Sequence, residues 1–158
     1  MTRTIISTLF LGAAMIGTSA SALTAEQTVE KEIVVRNADG SETLKRTSAE
    51  LVTPGENIVY SLNYFNDDAQ PADGIVLVMP VPAEVKYIEG SADLPAAITA
   101  YSADGGKTFT PRSEVRIKNE DGTLRTASAE DITHVRWSVQ QAVAPGASGS
   151  LSFKGQLK

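Results

Sequence analysis

Pro54-Gly55-Glu56-Asn57-Ile58-Val59-Tyr60-Ser61-Leu62-Asn63-Tyr64-Phe65-Asn66 is the stretch that decides the fold. Pro54-Gly55 is a turn signal: proline presets φ for one turn position, and glycine tolerates a positive φ at the next. Beyond it, Ile58, Tyr60, Leu62 and Tyr64 alternate with Val59, Ser61, Asn63 and Phe65. A period of two places these sets on opposite faces of an extended chain, one of them strongly apolar. The stretch is therefore expected to be a central core strand of an all-β domain.

On its N-terminal side, Thr24 to Thr28 is polar and reads as a lead-in. Val29, Ile33 and Val35 mark a first strand, and Asn37-Ala38-Asp39-Gly40 a turn. Glu42 to Thr47 returns from it, and its charge (Glu42, Lys45, Arg46) suits a sheet edge. Residues 23–50 are thus expected to be an N-terminal hairpin extension, and residues 51–158 the core of the domain.

On the C-terminal side, Asn66 to Gly74 is rich in turn formers, and Ile75 to Met79 is a continuous apolar run expected to be buried on both faces. Pro80 and Pro82 end it, since neither can donate to a ladder. Val85, Tyr87 and Ile88 form a short strand. Ala103 to Gly106 and Asn119 to Gly122 mark two further hairpins. Thr133, Val135, Trp137 and Val139 share one face of a strand; Leu151, Phe153 and Leu157 share one face of the last. The count is about nine or ten short strands with turn signals between them, which argues for an antiparallel sandwich.

The first 22 residues have another character. Arg3 precedes an apolar run from Ile5 to Ile16, and Ala20-Ser21-Ala22 offers small residues for cleavage. This is the pattern of a secretory signal peptide, and the run falls short of the roughly 20 apolar residues of a spanning helix. Cleavage after Ala22 is expected, with no stable membrane insertion afterwards. Acidic residues outnumber basic ones 19 to 14, for a net charge of −5, which does not favour nucleic acid. There are no cysteines, so an exported chain must hold its fold by packing alone, without disulfides or a lipidated cysteine.

Leu51-Val52-Thr53-Pro54-Gly55-Glu56, then Ile58-Val59-Tyr60 and Tyr64-Phe65-Asn66, followed by the proline-containing run Ile75 to Pro82 and the closing Val143-Ala144-Pro145-Gly146 with Leu151-Ser152-Phe153, occur in an order that resembles the DUF11-type conserved repeat domain of bacterial surface proteins. The resemblance spans Val29 to Lys158, with one copy of the pattern. It implies an immunoglobulin-like sandwich, a periplasmic or extracellular location at the cell envelope, and no enzymatic activity. The antibody pattern of Cys, Trp and Cys is absent, so the likeness is to the sandwich class alone.

Four groups of residues could carry chemistry. Ser102-Ala103-Asp104-Gly105-Gly106-Lys107-Thr108-Phe109 is similar to the Asp-box of sialidase-like propellers, which is a structural hairpin in those families. A propeller needs several four-stranded blades, and one box stands here. Asp67, Asp68 and Asp73 could offer oxygens to Ca²⁺, but their spacing departs from an EF-hand loop, and a solvated turn accounts for them. His134, the one histidine, lies on the polar face of its strand and cannot build a histidine metal site alone. Tyr60, Tyr64, Tyr87, Tyr101 and Trp137 could stack on sugar, yet their phase hides them in the core. No catalytic, cofactor or metal residue is therefore assigned. The expectation is an exported, non-enzymatic binding or structural module whose partner is another envelope protein or a surface glycan. The alternatives are an assembly or chaperone-like factor that pairs through a sheet edge, and a carbohydrate-binding module.

Overall fold

Asn57–Asn66 (β3) lies at the middle of a five-stranded antiparallel sheet, as its alternation predicts. The computed structural model describes residues 23–94 and 96–158, so the expected signal peptide lies outside the described residues. The strands are β1 (Leu23–Arg36), β2 (Glu42–Ser48), β3, β4 (Val76–Pro80), β5 (Val85–Tyr87), β6 (Ala97–Ser102), β7 (Arg116–Lys118), β8 (Leu124–Thr126), β9 (His134–Val139) and β10 (Ser148–Leu157). They form a large sheet in the order β2-β1-β3-β10-β5, a small sheet in the order β4-β9-β6, and a β7-β8 hairpin. All pairs are antiparallel. The chain is an all-β antiparallel sandwich.

The apolar face of β3 (Ile58, Tyr60, Leu62, Tyr64) meets Leu151 and Phe153 of β10 and Val85 and Tyr87 of β5 on the same side of the large sheet. From the small sheet come Met79, Tyr101, Val135 and Trp137, and all of these save the half-buried Leu62 are buried. Phe153 is the hub. Its ring centroid lies 5.0 Å from Tyr60, 6.2 Å from Tyr87 and 6.5 Å from Trp137. Burial of each such ring removes a large apolar area from water and contributes about 1.5–3 kcal/mol.

The polar atoms of Trp137, Tyr87 and Tyr101 are tied to the loop after β5. Trp137 Nε1 donates to the Ala92 carbonyl at 2.9 Å. Ala92 N–H points to the Tyr87 hydroxyl, which lies 3.0 Å from that of Tyr101, and Tyr101 donates in turn to the Asp93 carboxylate at 2.9 Å. A chain of donors thus leads from the core to solvent and ties the loop between the sheets.

Two expectations need correction. Thr24 to Thr28 is not a lead-in: Leu23–Lys31 pairs residue for residue with Asn66–Ile58, so β1 runs the whole length of β3. The polar side chains there misled because β1 sits beside β3 with one face in water, where strand residues need not be apolar. Val76 and Val78 are exposed, so β4 is not buried on both faces. It is the edge of a three-stranded sheet whose outer face is covered at one end by the loop after β6, where Gly106 lies against His134 and Phe109 against Arg136, and is open at Val76, Val78 and Ile98.

Residues 23–50 form β1, the Asn37–Ser41 turn and β2, whose seven residues are all exposed at the sheet edge. Beyond Glu32 the β1–β2 ribbon has no β3 partner and stands clear of the sandwich.

Candidate functional site

The Asp-box-like loop connects β6 to Thr110, which bridges back to Tyr101. Asp104 Oδ1 accepts from the Ser102 hydroxyl and from the amides of Lys107 and Thr108, while Oδ2 accepts from the Thr108 hydroxyl. These donors, Ser102 foremost, hold its carboxyl well below the usual carboxylate range. The Ser102 hydroxyl accepts from the Gly106 amide, and the Gly105 amide donates to Thr133 Oγ1. Gly106, at φ 82°, lies flat against the His134 ring, where a Cβ would come within 3.3 Å. The carboxylate, hydroxyls and imidazole are engaged in shaping a turn.

His134 lies on the outer face of the small sheet, between Pro80 and Ser102 in register, half-buried rather than exposed. Its Nδ1 is 3.2 Å from Thr133 Oγ1. Asp67 and Asp73 are exposed, and Asp68 Oδ1 accepts from the Gln70 amide. Among the described residues no three His, Asp or Glu side chains converge as a metal ion would require. The same loop is organised by Asn66 instead. This fully buried amide donates to the carbonyls of Gln70 and Val143 and accepts from the Asp68 amide. Tyr60, Tyr64, Tyr87, Tyr101 and Trp137 are all buried, so none presents a ring to a ligand.

The arrangement that reading the sequence missed is on the other face of the large sheet. The register places Ser61, Asn63 and Phe65 of β3 beside Thr28, Glu26 and Thr24 of β1 on one flank, and beside Ser152, Ser150 and Ser148 of β10 on the other. Two depressions of about 630 Å³ and 530 Å³ lie over this face and share Asn63 and Ser150. Together they form one trough that runs from Thr24, Phe65 and Ser148 to Arg46 and Ser48 at the end of β2.

Its floor is made of hydroxyl and amide groups. Ser61 is only 6% exposed, and its hydroxyl makes no hydrogen bond to the described residues, yet it lines the trough. Asn63, Ser148, Ser150 and Thr28 likewise spend no side-chain hydrogen bond on the described residues, in contrast to the Asp104 loop. Asn63, Ser148 and Ser150 are exposed and the Ser61 hydroxyl is not sealed from solvent, so these groups bond to water and keep both donor and acceptor capacity for whatever displaces it.

Phe65, 39% exposed, supplies an apolar wall at one end. Glu26 and Glu30 stand on the β1 side, and Arg46 closes the other end, its Nε 3.9 Å from Glu32. Glu32 also receives Lys154 Nζ at 2.7 Å, and this pairing covers the buried Val59 beside the trough. On the opposite face of β10, a Cβ on Gly149 would lie 2.2 Å from the Tyr64 ring, so glycine there makes room for Tyr64.

The alternation of Ser148, Ser150 and Ser152 against Gly149, Leu151 and Phe153 is visible in the sequence, as is that of Ser61 and Asn63. What is not visible is that β1, β3 and β10 lie side by side. No family model, curated protein or solved structure matches the chain.

Proposed function

We propose that the chain is an exported, non-enzymatic β-sandwich module that binds a partner at the bacterial cell envelope, and that the outer face of its large sheet is where it binds. The observation that carries this reading is the set of Ser61, Asn63 and Ser150 side chains lining one trough, none of which hydrogen-bonds to the described residues. The signal-peptide pattern supports export, and the likeness to the DUF11-type repeat supports the envelope setting and an immunoglobulin-like sandwich. A role without turnover fits side chains that are spent on turn geometry, as at Asp104.

The test is co-sedimentation of the mature protein with cell-envelope fractions. It is expected to pellet with them, and Asn63→Arg with Ser150→Arg is expected to release it without lowering its melting temperature. A protein that stays in the supernatant, or a double variant that pellets unchanged, would overturn the reading.

A second reading has one observation behind it. Along Leu23–Val29, β1 pairs with β3 on one side, and among the described residues no strand pairs with its other side. Such an edge can accept a strand from a partner in an assembly factor. A stoichiometric cross-link to a partner from Gln27→Cys, with none from Asn63→Cys, would favour the edge over the face.

A further inference from the structure

The geometry points to a neutral oligosaccharide as the occupant of the trough, and we propose that the module binds an extended, uncharged glycan chain along β1, β3 and β10. This rests on the reading of that face as the binding surface and names its ligand class.

The first argument is the chemistry of the lining. Ser61, Ser148, Ser150 and Thr28 offer hydroxyls, and Asn63 an amide. Each both donates and accepts, which matches the dual character of sugar hydroxyls. Protein interfaces have the reverse composition at their centres: they are rich in Tyr, Trp, Met and Arg and poor in Ser. The trough centre, around Asn63 and Ser150, has no such anchor.

Charge is the second argument. Glu26 and Glu30 border the trough, and its one cation, Arg46, is already turned toward Glu32. An anionic polymer would meet two carboxylates and no free cation among the lining residues, so a neutral chain is favoured. The third argument is shape. From Thr24 to Glu30 the strand advances roughly 20 Å at about 3.3 Å per residue, which suits several linked sugar rings rather than one. Phe65 then gives the apolar face of a terminal ring a surface to stack on.

The test uses the mature protein and three neutral hexasaccharides, maltohexaose, cellohexaose and the N-acetylglucosamine hexamer, with heparin as the anionic comparison, all by calorimetric titration. At least one hexasaccharide is expected to bind, heparin is not, and Ser61→Val or Asn63→Ala is expected to weaken binding about tenfold each. Phe65→Ala is expected to weaken it similarly, while Val78→Thr on the small sheet leaves it unchanged. Asn63 is exposed, so its variant tests the proposal even if Ser61→Val folds poorly. Failure of all three hexasaccharides, preference for heparin, or binding indifferent to Asn63→Ala would overturn the glycan proposal. If the hexasaccharides fail while envelope co-sedimentation still depends on Asn63 and Ser150, the ligand class falls and the binding face stands. If both fail, both fall.

Discussion

Asn66 shows how one residue can join strand, loop and sheet. It ends β3, is fully buried, and bonds to Gln70, Val143 and Asp68. Asn66→Ala would leave the buried Val143 carbonyl, the part-buried Gln70 carbonyl and the Asp68 amide without it, at a cost of about 1–3 kcal/mol for each group that water cannot reach. We predict a lower chemical-denaturation midpoint, with the loop 67–74 the first segment to exchange amide hydrogens; an unchanged midpoint would contradict the anchoring role. Gly155 is similarly constrained, since a Cβ there would fall 2.2 Å from Val85 Cγ1. Gly155→Ala should therefore destabilise by about 1–3 kcal/mol through overpacking, read as a drop in melting temperature. Neither residue stands out in the sequence by itself. Asn66 looks like any turn former, and its burial depends on Val143, 77 positions away.

At the scale of elements, β3 was the most legible because one pattern settles both its conformation and its buried face. β2 was legible for the opposite reason: charge along a short strand marks an edge. β1 was half-legible. Its polar N-terminal half, Leu23–Thr28, carries no apolar stripe and owes its strand character to β3 beside it. Removal of residues 23–28 would strip one side of β3 of its ladder over the Ser61-to-Asn66 half. The expected outcome is a large loss of thermal stability, whereas shortening the Asn37–Ser41 turn should barely move it. Equal effects of the two deletions would contradict this account of β1. The trough was illegible at this scale, because three strands far apart in sequence each contribute a few polar residues, and each set alone reads as a solvated face.

The whole molecule is built around Phe153 and the tyrosine chain that leads from it. Burial, together with the neighbouring Tyr87 hydroxyl and Asp93, pushes the Tyr101 phenol far above its ordinary value of 10.0. Burial also raises Tyr87 and Tyr60. A phenol whose pKa is raised on folding stabilises the fold fully below the unfolded value and loses that contribution as pH rises beyond it. Stability should therefore hold through neutral pH and fall above about pH 10. Tyr101→Phe should make that alkaline fall shallower while lowering stability at pH 7 by about 1 kcal/mol. Thermal melts across pH 8 to 12 check both, and an alkaline limb of unchanged slope would count against the account.

Among the described residues, every aromatic ring is buried in the sandwich except Phe65 and the half-buried Phe109, and hydroxyls without internal partners gather on the outer face of its large sheet. Amide chemical-shift mapping of isotope-labelled residues 23–158 during titration with the best-binding neutral hexasaccharide tests that division most directly. The expected perturbations are confined to residues 24–30, 61–65 and 148–150, with Arg46 and Ser48 at the margin. Shifts centred on Val76, Val78 and Ile98 of the small sheet, on the Asp104 loop, or nowhere at saturating sugar would contradict the assignment of the trough as the binding site.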